Sequence, residues 1–289
     1  MLSIIIPTYN NAAELHECLE HLNLQMTEHA FEVIVVNDGS TDQTEMVLKK
    51  WRAKKTSFEL KTLLQENKKQ GAARNRGVRE ATHHLIAFIG ADILVEPNWL
   101  NTHVEFHQKN PDEKAAALGF TTWTPELGQD RFRKWLESSG VQFKYGPLKD
   151  GQKTDFWHFY TSNISMKKSW FLKFGFDETF KTYGWEDILL GYQMQKAGGT
   201  LTYLKSAKAY HMDPLTEEKV FPGRLENIGK SAVLFQQKCP DVRVIPTGIK
   251  KVIFKILSNS IIIVALGLLR KEWRWYALSK KYFLKGVNS

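Results

Sequence analysis

Short apolar runs alternate with helical spacings along the first two hundred residues. Leu2–Ile6 is a β-branched run closed by Pro-Thr-Tyr-Asn, which predicts a buried strand and a loop. Leu15, Leu19 and Leu22 are spaced for one face of a helix over Ala12–Leu24. Phe31–Val36 predicts a second strand ending in the turn Asn37-Asp38-Gly39-Ser40. Thr41 or Asp42 is then a candidate cap for a helix carrying Val47, Leu48 and Trp51. Phe58–Leu64 predicts a third strand, Gly71–Ala81 a helix with Ala72, Ala73 and Val78 inward, and Leu85–Ile89 a fourth strand. This alternation predicts an α/β fold with an open, mostly parallel sheet, whose ligands bind beyond the carboxyl ends of the strands. Asp38 and Asp92 both fall just after predicted strand ends.

From Gly119 to Gly151 the pattern weakens into loops and one helix, Arg131–Leu136, as expected of an insertion that shapes a pocket. Glu186–Lys196 predicts a helix stopped by Gly198-Gly199, with the strand Leu201–Leu204 after it. No repeat or low-complexity linker interrupts the chain. The predicted organisation is a catalytic domain over 1–215, with a nucleotide half over about 1–95 and an acceptor half over 96–215, and a helical extension over 216–289.

Composition narrows the class. Hydrophobic residues at 43% and charged residues at 25% exclude wholesale disorder. Two cysteines, Cys18 and Cys239, cannot build a disulfide framework or a four-thiolate zinc site, and read as buried thiols in a reducing compartment. Met1-Leu-Ser-Ile-Ile-Ile-Pro7 lacks the basic start of a signal peptide, so the expected location is the cytoplasm.

Charge is concentrated at one end. Residues 249–289 hold nine bases against one acid, Glu272, which accounts for eight of the chain's nine excess positive charges. A body this neutral argues against nucleic-acid binding, and the basic tail points to an anionic surface. The apolar run Ile256–Leu269 is too short for a spanning helix. Lys250, Lys251, Lys255 and Asn259 gather on one helical face, with Ile249, Val252, Ile253, Ile256 and Leu257 largely opposite. Trp273, Trp275, Tyr276, Tyr282 and Phe283 follow among further bases. Two readings fit: helices peripheral on the inner face of the cell membrane, or a helical cap packed on the catalytic domain.

Five segments occur in an order that resembles the family 2 glycosyltransferases of the GT-A fold. They are Ser3-Ile-Ile-Ile-Pro-Thr-Tyr-Asn10, Val33-Ile-Val-Val-Asn-Asp-Gly-Ser-Thr-Asp42, Gly71-Ala-Ala-Arg-Asn-Arg-Gly77, Phe88-Ile-Gly-Ala-Asp92 and Gly184-Trp-Glu-Asp187, and the resemblance covers roughly residues 2–211. It implies an inverting transferase of the bacterial type. Such an enzyme moves a sugar from a nucleotide-diphosphate donor, UDP-sugar foremost, to a glycan or lipid-linked acceptor, as in polysaccharide and cell-envelope biosynthesis.

The resemblance also implies roles. Asp92 matches the second aspartate of an Asp-x-Asp metal motif for Mn²⁺ or Mg²⁺, whereas Gly90 stands where the first would be. His211 in Ala209-Tyr-His-Met-Asp213 matches a further metal contact. Pro7, Tyr9 and Asn10 should line the nucleotide pocket, Asp38 should receive the base, and Arg74 should hydrogen-bond the diphosphate or a base carbonyl. Asp187 is the implied general base, with Glu186, Trp185 and Asn163 on the acceptor side, and Trp185 and Trp157 each offer a flat face on which a sugar ring could stack.

Each residue also has a plainer reading. Asp92 could cap a helix near Pro97-Asn98-Trp99, Asp38 could serve turn chemistry alone, and Arg74 could be solvated. His211, Trp185 and Trp157 could be core, and Glu186-Asp187 could answer a helix dipole. A nucleotidyltransferase would carry a glycine-rich phosphate loop after the first strand, where Pro7-Thr-Tyr-Asn10 stands instead. A degenerate, non-catalytic binding module at the membrane is the other rival, and Gly90 is the feature that favours it.

Overall fold

The computed structural model describes residues 1–128 and 130–289. The chain divides into two compact units: residues 1–128, 145–178 and 190–213 form one, and 129–144, 179–189 and 214–289 the other.

The first unit holds the sheet. Its strands are β1 (Leu2–Thr8), β2 (Phe31–Asn37), β3 (Glu59–Leu64), β4 (Leu85–Ile89), β5 (Ile93–Val95), β6 (Ala115–Trp123), β7 (Lys153–Thr154), β8 (Asn163–Lys167) and β9 (Thr200–His211). They pair in the order β3-β2-β1-β4-β8-β6-β9-β5, with β7 also on β9. The run β3-β2-β1-β4 is parallel throughout and β6 pairs parallel with β9, whereas β8 lies antiparallel to both β4 and β6. This is the expected GT-A type of α/β architecture.

Helices α1 (Ala12–Asn23), α2 (Thr44–Arg52), α3 (Gln70–Glu80) and α4 (Trp99–Lys109) cover the sheet, and Lys168–Phe171 (α6) adds a single turn. Leu2, Ile4 and Ile6 of β1 share a core with Leu15, Cys18, Leu19 and Leu22 of α1, while Ile5 faces the opposite side. Buried on both faces, such strands read as unbroken apolar runs, and each fully buried Leu or Ile stabilises by about 1.5–3 kcal/mol. Gly77 lets α3 lie close to the sheet: a Cβ there would stand 2.6 Å from Ile5 Cγ2.

Two expectations are corrected by long-range pairing. The strand predicted over Leu201–Leu204 runs on to His211, because Lys205 and Ser206 bulge outward and the register against β6 jumps between Gly119 and Phe120. The bulge interrupts the alternation that marks a strand in sequence. For the same reason β6 continues through Trp123, where loops were expected. Asp42 does not cap α2 in the ordinary way. Its Oδ1 accepts from the amide and hydroxyl of Thr44, the first helical residue, and its Oδ2 from the amide of Ala12.

The second unit is helical: α5 (Arg131–Ser139), the first residues of α7 (Glu186–Lys196), the short α8 (Glu217–Lys219), α9 (Glu226–Lys238), α10 (Gly248–Leu257), α11 (Ser260–Leu269) and α12 (Lys271–Val287). Phe132, Trp135, Phe221 and Trp275 form its aromatic centre, with ring centroids 5.0–5.9 Å apart. Helices α9 and α12 meet where Gly229 and Gly286 remove side chains, since a Cβ on either would strike the other helix's backbone. The single lysine-bearing face expected to include Asn259 does not form. The helix breaks at Ser258, and Asn259 caps α11 by accepting from the amides of Ile261 and Ile262.

Candidate active site

Strands β1, β2 and β4 are parallel and in register, so their carboxyl ends open on one edge. Pro7, the last residue but one of β1, lies beyond the stretch paired with β4, so its missing N–H leaves no gap in that ladder. The next residues are tied across to the loop after β2. Asn10, at φ +54°, donates its amide to Ser40 Oγ (3.0 Å) and accepts the Thr41 amide at Oδ1 (2.8 Å). Tyr9 stands 45% exposed beside this clasp.

Asp38 is buried, and its carboxylate already has partners. Oδ1 accepts from Gln65 Nε2 (2.7 Å) and the Lys68 amide (2.9 Å), and Oδ2 from the Lys69 amide (2.8 Å). It thereby shapes the loop before α3, in which Lys69 sits at φ +76°. Gly39, at φ +79°, makes the turn itself. Gln65 carries no motif that would single it out in a polar stretch. Arg74 is buried rather than solvated, with its guanidinium carbon 5.4 Å from the centroid of the Phe176 ring.

Asp92 and His211 come together because β5 and β9 pair antiparallel, with Ile93 opposite His211 and the Asp92 carbonyl accepting the Met212 amide. His211 Nε2 lies 3.3 Å from Asp92 Oδ2. The imidazole is buried with the Trp123 ring edge-on to it, whereas the carboxylate is 30% exposed. Helix α4 begins at Trp99 after Asn98, which removes the capping role for Asp92. Gly90 is also part of this geometry: a Cβ there would collide with Asp92 Oδ1. Cys18 donates to the Gly90 carbonyl at 3.7 Å, and burial, helped by the Asp92 charge, pushes its thiol pKa well up so that it stays protonated.

This donor set suits a small divalent cation. The carboxylate oxygen suits Mn²⁺ or Mg²⁺ and the imidazole, a softer donor, favours Mn²⁺ of the two, and neighbouring ligands about 2.1 Å from one octahedral ion stand about 3 Å apart. Among the described residues no cluster of three or more His, Cys, Asp or Glu could hold a metal, so such an ion would complete its shell from phosphate and water.

Asn163 has no surface to offer an acceptor, and its expected role is corrected. The side chain is fully buried. Oδ1 accepts from Trp99 Nε1 (2.8 Å) and faces His103 Nε2 (3.1 Å), while Nδ2 donates to the carbonyls of Phe120 and Ala207. All its hydrogen-bonding capacity joins α4, β6 and β9. Trp157 is 40% exposed at the surface of the same unit.

The second unit carries the acid pair. Gly184 (φ +103°) and Trp185 (φ +73°) turn the chain into α7, an uncommon conformation for a tryptophan. Trp185 is held by packing: Nε1 donates to the Ile228 carbonyl (2.9 Å) and the ring lies 4.8 Å from that of Phe235. Glu186 is buried and accepts the Gly184 amide at 3.1 Å. Asp187 is only partly buried, with Oδ1 accepting from the Ile188 amide. Ser231 and Arg224, neither signalled by a motif, anchor this turn through Thr182 and Tyr183.

Known proteins resemble this chain along most of its length. The family model Glycosyl transferase family 2 matches residues 3–174. The chain is 27% identical over 269 residues to the chondroitin synthase of Escherichia coli, covering 83% of this chain and 38% of that protein. It is 30% identical over 236 residues to the validoxylamine A glucosyltransferase of Streptomyces hygroscopicus subsp. jinggangensis, covering 70% and 53%. It therefore spans about half the length, or less, of these relatives. Two solved structures share the fold. The mannosyltransferase PcManGT from Pyrobaculum calidifontis, in complex with GDP-Man and Mn²⁺, matches at TM-score 0.68 and 16% identity, over 99% of this chain and 86% of that one. S. aureus TarS 1–349, in complex with UDP, matches at TM-score 0.58 and 17% identity, over 99% and 89%.

Proposed function

The chain belongs to glycosyl transferase family 2, and from that premise we propose that it transfers a sugar from a nucleoside-diphosphate donor to a glycan or lipid-linked acceptor, with inversion. The observation that carries this reading is the Asp92–His211 pair at the edge of the sheet. On that edge the clasped loops after β1 and β2 make a bed for a nucleotide. Pro7, Tyr9 and Asn10 line it, Asp38 holds its far wall through Gln65 and Lys69, and Arg74 offers charge to the diphosphate.

Inversion needs a single displacement. The acceptor hydroxyl oxygen bonds to the anomeric carbon, the bond from that carbon to the diphosphate oxygen breaks, and Asp187 receives the hydroxyl proton. Glu186 and Trp185 shape the acceptor side. Asp92 and His211 would hold the divalent cation, which when bound supplies positive charge against the leaving diphosphate. A UDP-sugar is the proposed donor. TarS with UDP and PcManGT with GDP-Man support the nucleotide class, and titration distinguishes the two bases.

Calorimetric titration of the purified chain with UDP and GDP, each with and without Mn²⁺, tests this. UDP binding that tightens with Mn²⁺ supports the reading. Binding of neither nucleotide under any condition overturns it in favour of a non-catalytic glycan-binding module, the reading that Gly90 favours.

A further inference from the structure

The end of the second unit leaves two apolar stripes uncovered. On α10, Ile249, Val252, Ile253 and Ile256 recur at the spacing of one helical face and all four are exposed, Ile249 at 81%. On α11, Ile261, Val264, Ala265 and Leu268 repeat that spacing, again exposed, with Leu268 at 84%. Ile263 of α11 turns the other way and is buried, and Trp275 of α12 is buried in the aromatic centre. The tail is thus partly packed within the second unit, through α12, and partly an unpartnered apolar surface, through α10 and α11.

Two features say what chemistry fits that surface. Residues 248–271 hold Lys250, Lys251, Lys255, Arg270 and Lys271 and no acid, so apolar stripes and an excess of positive charge lie together, with Arg270 3.9 Å from Glu272 just beyond. Trp273, 46% exposed, follows directly. The 73° bend between α10 and α11 also closes its own polar groups. Ser258 donates its amide and hydroxyl to the Phe254 carbonyl, and Asn259 Oδ1 takes the amides of Ile261 and Ile262. A protein partner could satisfy an open bend, but a hydrocarbon environment requires a closed one.

We propose that α10 and α11 form a bent wedge that lies in the interface of an anionic phospholipid bilayer, with the apolar stripes among the acyl chains and the lysines on the headgroups. Among the described residues no single helix is long and apolar enough to cross a membrane; α10 and α11 reach that length and composition only together, across their 73° bend, and the bend is what suits a wedge entering from one side. This goes beyond the transferase reading and does not depend on it.

The test is co-sedimentation of the full chain with vesicles of phosphatidylcholine alone and of phosphatidylcholine mixed with phosphatidylglycerol. The chain should bind the mixed vesicles at least about tenfold more tightly, and high salt should weaken that binding. The pair Ile253→Asp with Val264→Asp should lower it by about tenfold or more, and so should Lys250→Glu with Lys251→Glu. All four positions are exposed, so both pairs should keep the wild-type melting midpoint, which verifies folding. Failure to bind mixed vesicles, or equal binding by the variants, overturns the proposal. A lipid-free dimer that Ile253→Asp with Val264→Asp dissociates would also overturn it, assigning the surface to a second copy of the chain.

Discussion

His211 Nε2 stands 3.3 Å from Asp92 Oδ2, and the pairing of Ile93 with His211 across β5 and β9 holds the two heads together. Removing either head leaves a single protein donor for the cation. Asp92→Asn and His211→Ala should each weaken the Mn²⁺-dependent part of UDP affinity by about tenfold or more, roughly 1.4 kcal/mol, while metal-free UDP binding changes little. Titration with and without Mn²⁺ measures both. Equal metal dependence in wild type and variants would refute the assigned cation site.

Asp187→Asn keeps shape and removes the proton acceptor. Turnover with a donor the chain accepts should fall by about 10²–10⁴-fold, with UDP affinity unchanged within about twofold. Unchanged turnover would remove Asp187 from the chemistry.

Glu32 contributes to acid stability. Burial raises its pKa, but the Lys61 ammonium at 2.6 Å, the hydroxyls of Ser3 and Thr82 and the Thr82 amide outweigh that and bring it down to about 2 from 4.5. A depressed carboxylate stabilises the fold fully above its unfolded pKa, and the contribution is lost as pH falls from about 4.5 through 2. The loss amounts to about 3 kcal/mol. Urea midpoints for Glu32→Gln should therefore flatten across that window, at lower stability near neutral pH. A wild-type slope in the variant would count against this assignment.

His103 and His107 act in a higher window. Burial lowers their pKa values to about 4 and about 2, with the Lys167 and His103 charges adding to the effect at His107. The unfolded chain takes up these protons near pH 6.5 and the folded chain does not, so stability should begin to fall as pH drops below 6.5. His107→Gln should reduce the slope of the urea midpoint between pH 6.5 and 4.5, and a slope unaltered by the substitution would contradict the assignment.

Gly229 and Gly286 set the distance between α9 and α12. Gly229→Ala should destabilise by about 1–3 kcal/mol, because the methyl meets the Phe283 carbonyl, even though alanine is the better helix former. Thermal unfolding would show it as a lowered midpoint.

Much of the parallel sheet was legible because its strands are buried on both faces. Leu2–Ile6, Phe31–Val36 and Leu85–Ile89 could be read directly as apolar runs. Strand β9 was not, since the exposed Lys205-Ser206 bulge hides its continuity, and with it the route by which His211 reaches Asp92. Asn163 misled in the opposite sense. A polar residue in a family-like segment suggests a sugar contact, yet its amide is consumed by Trp99, His103 and two carbonyls drawn from distant parts of the chain. Nothing local marks such a role.

The sequence by itself determined the parallel half of the sheet, the strand-end positions of Asp38 and Asp92, and the family motifs, because burial period and turn chemistry act between near neighbours. Only the tertiary structure decided that Asp92 meets His211, that Asp38 is held by the loop before α3, and that the basic tail divides into a packed α12 and an exposed α10–α11 pair. Those outcomes follow from hydrogen bonds and close packing between residues far apart in the chain. Pairing of that kind leaves no period behind in the sequence.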